Sequence, residues 1–332
     1  MPDRPTRPDR SPPSPSEAGG PQTKPEAYRS GFVAIVGAPN AGKSSLMNRL
    51  LGQKVAIVTH KPQTTRHRLL GVLTEPSAQI VFWDTPGVHE SPKALNQSMV
   101  SRALAALADC DVCLWLVDGA RRGPEHARVL EALKTRTDAP LMVAVNKADL
   151  LDPEELPALL DEFRDLPGLR PPDKLLAVSA KTGKGLKKIK KALASLLPVS
   201  PPLYEADALT DQTLRAMAAE YVREAVFELT RQEIPYSTAV TVDEYLEPKT
   251  TDKNPVARIS CTVHVERESQ KKVMIGAGGR TLKKIGQTAR RRLEELLETK
   301  VFLSLFVRIT DGWSEDPKAL EDFGYLDPRE KR

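Results

Sequence analysis

With 332 residues, 40% of them hydrophobic, the chain is long enough for about two domains with cores of their own. A formal charge of +5 and a pI of about 9.0 permit an anionic partner without requiring one. Three cysteines exclude a disulfide-stapled secreted class, and no apolar run approaches the roughly 18 residues of a membrane span. The expected compartment is therefore a reducing cytoplasm, with peripheral contact to the inner face of the cell membrane left open.

Residues 1–28 are dense in proline, serine and charge, as in Arg10-Ser-Pro-Pro-Ser-Pro15, and are expected to form a disordered tail. Residues 29–198 alternate apolar runs with helical patterns. Strands are expected at Phe32–Val36, Gln79–Trp83, Val112–Val117, Leu141–Val145 and Lys174–Val178. Helices are expected at Ser44–Leu51, Leu95–Ala108, Glu125–Thr135 and Glu154–Phe163. Continuous apolar strands between helices indicate a mostly parallel sheet covered on both faces, with ligands at its carboxyl edge. Cys110 and Cys113 have redox-motif spacing, but on one strand they would point to opposite faces, so both read as core.

Proline-rich residues 199–209 read as a linker to a second domain at 210–310. Leu214, Met217, Ala218, Tyr221, Val222, Ala225, Val226 and Leu229 mark one helical face. Strands follow at Thr238–Tyr245 and Ala257–Glu266, then a short helix at Lys271–Ile275, a glycine loop, a helix to Glu298 and a strand at Val301–Ile309. The order is α-β-β-α-α-β, and residues 311–332 are set apart as a C-terminal tail.

Gly37 to Ser44 reads Gly-Ala-Pro-Asn-Ala-Gly-Lys-Ser, between a strand and a helix. That is the context in which G-x-x-x-x-G-K-[ST] cradles a polyphosphate on inward backbone amides. Asn40, Ala41, Gly42, Lys43, Ser44 and Ser45 are the candidate phosphate contacts, with the Ser44 hydroxyl able to ligate Mg²⁺. Asp84-Thr-Pro-Gly87 closes the next strand, where an acid can hold a metal-bound water and the Gly87 amide can meet a γ-phosphate. Asn146-Lys-Ala-Asp149 follows a further strand. One carboxylate, Asp149, can accept both donors of guanine, and adenine offers no such pair. Asn146 can brace the phosphate loop, the Lys147 stem can cover the base, and in Ser179-Ala180-Lys181 the Ala180 amide can donate to guanine O6.

Together these four motifs resemble the translation-factor-related class of small GTP-binding proteins. Gln63-Thr-Thr-Arg-His-Arg68 resembles the first switch segment of the bacterial Era GTPases. That likeness implies that Thr65, with Thr64 as runner-up, joins Ser44 on Mg²⁺ when GTP is bound. Lys43, Thr65 and Gly87 are then the residues expected to serve the reaction. Val88 stands where many GTPases have a water-orienting glutamine, so slow intrinsic hydrolysis is implied. Related GTPases with asparagine at the position of Asn40 hold a K⁺ ion there, which makes K⁺ a candidate beside GTP/GDP and Mg²⁺.

Gly276-Ala-Gly-Gly279, with Lys272 before it and Arg280 and Lys283 after it, is a G-x-x-G loop in basic surroundings that lets a nucleic-acid backbone approach. In this fold order it resembles the bacterial, type II, KH domain. Lys272, Gly276, Ala277, Gly278, Gly279, Arg280 and Lys283 are the candidate RNA contacts. Ala277-Gly278 departs from relatives with a basic residue in the loop, and Arg290-Arg-Arg292 reads equally well as a solvated face. Gly312 to Tyr325 is also similar to the Era carboxyl terminus, so the resemblance spans Ser30 to Leu326. It implies a P-loop GTPase domain with a mostly parallel α/β sheet, followed by a smaller α+β KH domain. It also implies a monomeric assembly factor of the small ribosomal subunit that binds near the 3′ end of 16S ribosomal RNA. Competing readings are a P-loop ATPase or kinase, an RNA binder with an inert nucleotide domain, and a GTPase with a membrane or tRNA-modification partner.

Overall fold

Strand β1 (Arg29–Val36) places Val33, Ile35 and their neighbours in the middle of the protein because β-branched residues there bury on both faces. The computed structural model describes residues 27–62, 64–66, 69–87, 94–121, 123–248 and 255–326, without the side chains of residues 98 and 102. Gln63, His67, Arg68, Val88 and residues 1–26, on which expectations were placed above, lie outside the described residues.

After β1 come α1 (Lys43–Leu51), β2 (Leu69–Glu75), β3 (Ala78–Asp84), α2 (Ala94–Asp109), β4 (Val112–Asp118), α3 (Glu125–Arg136), β5 (Leu141–Asn146), α4 (Leu156–Glu162), β6 (Lys174–Ala177) and α5 (Leu186–Leu196). The strands form one sheet in the order β2-β3-β1-β4-β5-β6, antiparallel at β2-β3 and parallel elsewhere. Two apolar cores flank it, one against α2, α3 and α4 and the other against α1 and α5. Two elements here escape the sequence patterns. Strand β2 is a short apolar run with a glycine in it, and α5 carries Lys187, Lys188, Lys190 and Lys191 around only two fully buried residues, Ile189 and Leu193.

Cys110 falls just beyond α2, before β4 begins, so it shares no strand with Cys113. Both thiols bury in the same core rather than on opposite faces, and desolvation pushes Cys110 up to about 11. Their inertness stands, for a different geometric reason.

The second domain runs α6 (Leu214–Leu229), β7 (Ala239–Leu246), β8 (Val256–Val265), α7 (Glu268–Ile275), α8 (Arg280–Leu297) and β9 (Lys300–Ile309), giving the expected α-β-β-α-α-β order. Its sheet has the order β7-β8-β9, antiparallel then parallel, with α6, α7 and α8 on one face. The segment between the domains is pinned to the first sheet. Gln79 accepts from the Leu203 and Tyr204 amides at 2.7 and 2.9 Å, and Val72 N donates to Leu209 O at 2.9 Å. Residues 311–326 do not trail away. They fold through α9 (Pro317–Asp322) and bury Trp313, Leu320 and Tyr325 against Leu95 and Met99 of α2 and Ala239 of β7.

Candidate nucleotide site and RNA interface

The loop from β1 to α1 opens on the carboxyl edge of the sheet, where β3, β5 and β6 also end. Gly42 caps α1 in the left-handed region at φ 96°. A Cβ there would stand 2.4 Å from Asn146 Nδ2, so only glycine admits the Asn146 clamp. Asn146 Nδ2 donates to Ala41 O at 2.8 Å, while its Oδ1 accepts from Ala180 N at 2.9 Å. One buried amide therefore ties the phosphate loop to both base-side motifs. The bond also engages the Ala180 amide expected to face guanine O6, so any contact with the base is shared with it.

At the base end, the Ser179 hydroxyl donates to Asp149 Oδ1 at 2.6 Å and holds that carboxylate below its usual range. Asp149 is thus an ionised acceptor at the base end of the cleft. Lys147, itself left-handed at φ 62°, pairs with Asp118 Oδ2 at 2.5 Å. Asp118 ends β4 and was not singled out in the sequence, because an acid closing an apolar strand also reads as an ordinary turn former. Asn40, Asp118, Asn146, Lys147, Asp149 and Lys181 line a cleft of about 1070 Å³, and a smaller cleft lined by Lys43, Ser44, Ser45 and Gly87 adjoins it.

At the phosphate end, Lys43 Nζ donates to Gly37 O and Ala38 O at 3.1 Å each, arched back over the loop. Burial lowers its ammonium to about 8 against the pull of Asp84. The Ser44 hydroxyl donates to Asp84 Oδ2 at 2.5 Å and lies 2.9 Å from Thr65 Oγ1, and Thr65 donates to the same carboxylate at 3.3 Å. Burial raises the Asp84 carboxyl, and its Oδ1 has no partner among the described residues. An unpartnered buried carboxylate oxygen beside two hydroxyls is a hard-oxygen donor set that fits Mg²⁺. Thr64 is turned away, bonded to Thr59 and Lys61, so geometry selects Thr65 of the two threonines.

In the second domain, Gly276 to Gly279 forms a one-turn bend between α7 and α8. Gly278 sits at φ 59° with nothing within 4 Å of a built Cβ, so the loop is open to an approaching backbone. Lys272, Arg280 and Lys283 are exposed around it, with Arg280 Nε bonded to Ala277 O at 3.1 Å. Arg292 is largely covered, its side chain 18% exposed. It bridges α8 to Glu224 and Glu228 of α6 at 3.0 and 2.8 Å, leaving Arg290 and Arg291 exposed.

A family model described as 50S ribosome-binding GTPase matches residues 32–147, and a KH domain model matches residues 233–314. GTPase Era of a Geobacter species is 45% identical over 298 residues, 90% of this chain and 98% of that protein. GTPase Era of Pseudomonas aeruginosa is 42% identical, covering 91% of this chain and 97% of its own. The chain belongs to the Era family of GTPases. A crystal structure of Era with MgGDPNP and nucleotides 1506–1542 of 16S ribosomal RNA superposes at TM-score 0.84, with 38% identity over 90% of this chain and all of that one. A variant of Aquifex aeolicus Era bound to GDP·AlF4⁻ also gives TM-score 0.84, with 37% identity and the same coverage.

The features of this Era-family chain least visible in sequence are those joining the two halves. Arg66, one residue after Thr65, is 2% exposed and inserted into the second domain. Its guanidinium donates to the carbonyls of Thr238, Pro235 and Tyr236 at 2.7, 3.1 and 2.9 Å, among the rings of Phe227, Trp313 and Tyr325. From the other side, Arg223 of α6 reaches back to Thr64 O at 2.5 Å and pairs with Glu220. Buried Glu224 accepts from Lys54 and the Val58 amide at 2.7 and 2.9 Å, and Lys61 Nζ donates to Phe227 O and Thr230 O. The signal available in sequence was α6 itself, where Arg223 and Glu224 interrupt the apolar run Tyr221, Val222, Ala225, Val226 and Phe227.

Proposed function

We propose that this GTPase is a switch whose nucleotide state sets the affinity of its KH domain for ribosomal RNA near the 3′ end of the small-subunit 16S molecule, in assembly of that subunit. One observation supports the coupling above the rest. Thr65 faces the Ser44–Asp84 site while the next residue, Arg66, is anchored in the second domain. Any movement of Thr65 on gain or loss of a γ-phosphate pulls on a buried guanidinium with three carbonyl partners.

Ser44 and Thr65 are the residues that would hold Mg²⁺, which supplies charge neutralisation between the β and γ phosphates. Lys43 neutralises the same phosphates, the Gly87 amide reaches the γ position, and Asp149 selects guanine. Asn40, exposed at φ 62° in the mouth of the loop, is assigned a K⁺ ion. The RNA contacts are assigned to Lys272, Gly276–Gly279, Arg280 and Lys283.

The reading places a monomer in the cytoplasm; no helix among the described residues is long and apolar enough to cross a membrane. A GTPase serving a membrane partner predicts vesicle binding that ignores Gly278. The test is the affinity for 16S nucleotides 1506–1542 with GDP and with a non-hydrolysable GTP analogue, run beside Gly278→Asp. Aspartate tolerates the left-handed φ but sets a carboxylate against an RNA phosphate. Tight binding that prefers the GTP form and is lost in the variant supports the switch. Binding indifferent to both overturns it.

A further inference from the structure

The sheet of the second domain has two faces, and the helices use one. Along β9, Val301, Leu303, Leu305 and Val307 turn toward α7 and α8 together with Ala257, Ile259, Cys261 and Val263 of β8. The alternate residues therefore turn to the other face. Phe302 and Phe306 on that face are 59% and 60% exposed, the two aromatics among the exposed large apolar side chains of the described residues. Arg258 stands directly across from Phe302, with Leu246 beyond it on β7, and Arg308 lies two residues past Phe306. Ser260 and Ser304, hydrogen-bonded at 3.4 Å, separate the two phenylalanine rows.

The same face is closed at its far end, where His264 lies between Thr241 and Thr310 and against Phe323, ring centroids 4.4 Å apart. Its open half carries the cations Lys300 and Arg258, while exposed Arg308 lies opposite His264 at the closed end; of the acids on this face, Glu244 and Asp243, Asp243 is already bonded to Thr262 at 2.7 Å. Two bare phenylalanines flanked by arginines are costly in water and fit a ligand with flat apolar faces and negative charge.

Strand β9 is the edge of the sheet, so the side packed on the G-x-x-G helices and the phenylalanine side meet at one free strand edge. A G-x-x-G loop clamps about four nucleotides. The RNA segment held by the solved relative, nucleotides 1506–1542, is much longer. Phe302 and Phe306 are about 13 Å apart along the strand at roughly 3.3 Å per residue, which leaves space for a base over the serine pair between them.

We propose that this outer face is a second RNA surface, on which Phe302 and Phe306 stack bases and Arg258 and Arg308 meet phosphates as the strand passes round β9 from the G-x-x-G loop. The inference rests on the RNA-binding reading above and extends it beyond the family's loop. Because the side chains are exposed, their replacement leaves the fold intact.

The experiment compares wild type, a Phe302→Leu/Phe306→Leu double variant, the corresponding Tyr/Tyr variant and Gly278→Asp. Each is titrated with the 1506–1542 RNA and with the shortest fragment of it that still needs Gly278. The expected result is at least a tenfold loss for the Leu/Leu variant on the long RNA only, with recovery in the Tyr/Tyr variant and unchanged melting temperature and GTPase rate. If Leu/Leu binds the long RNA within twofold of wild type while Gly278→Asp does not, the face serves another partner, such as a protein, and the inference is overturned. If wild type binds neither RNA, the parent reading fails as well.

Discussion

The Arg66 guanidinium of the first domain and the Thr238 carbonyl of the second are joined at 2.7 Å, one residue away from a hydroxyl that stands 2.9 Å from Ser44. The candidate metal site and the domain boundary are therefore neighbours in the chain. Removing this guanidinium strands three carbonyls in a buried pocket, each worth about 1–3 kcal/mol when left unpaired. Arg66→Ala is expected to weaken docking of the two domains by about 2–4 kcal/mol. Calorimetry would show one unfolding transition splitting into two. A single unshifted transition would mean that the pocket repacks without cost.

The proposed function assigns guanine selection to Asp149. Asp149→Asn replaces half of a double acceptor with a donor, so GTP affinity is expected to fall at least about a hundredfold. Xanthosine triphosphate, which presents a carbonyl where guanine has its amino group, should gain affinity in the same variant. Competition binding with the two nucleotides reads both effects, and equal losses for both would show that Asp149 has a structural part only.

How much of this was legible beforehand follows from the physics of each signal. The phosphate loop, Asp84, Asn146 and Asp149 were readable because each is a short motif at a strand end, and the sheet brings them together as parallel topology dictates. Strand β2 was not, since Leu69–Leu73 is too short an apolar run to declare its period. Cys110 was placed on a strand that begins two residues later. Arg66, Arg223 and Glu224 were invisible as a group because a buried charge declares itself only through its partner, and their partners across the domain boundary lie more than 150 residues away in sequence. The same holds for Trp313, whose Nε1 bonds Ser237 O at 3.1 Å and turns an apparent tail into part of the interface.

The pH dependence of nucleotide binding follows from Lys43. Burial lowers its ammonium to about 8, and phosphate oxygens raise that value on binding. Below pH 8 the group is charged in both states, so affinity is flat. Above pH 8 binding takes up a proton, and affinity for GDP should fall by up to about tenfold per pH unit. Isothermal titration between pH 7 and 10 checks the sign, since a rise or a flat line above pH 8 contradicts it, and Lys43→Ala should remove the slope together with most of the affinity.

Asn40 yields a test of the monovalent ion. With K⁺ as the assigned occupant, turnover should be at least several-fold faster in K⁺ than in Na⁺, and Asn40→Ala should abolish the difference. Equal rates in the two buffers for wild type would remove K⁺ from the site.

Coupling between the sites is reciprocal, so RNA and the γ-phosphate must each strengthen the other by one common factor. The most direct measurement is that factor, obtained from the affinity of 16S nucleotides 1506–1542 for the GDP and GTP-analogue forms of wild type and Arg66→Gln. Wild type should favour the GTP form by at least about tenfold, roughly 1.4 kcal/mol. Arg66→Gln should keep RNA binding with the ratio reduced to near one. A wild-type ratio of one, or a ratio untouched by the substitution, would contradict a switch transmitted through Arg66.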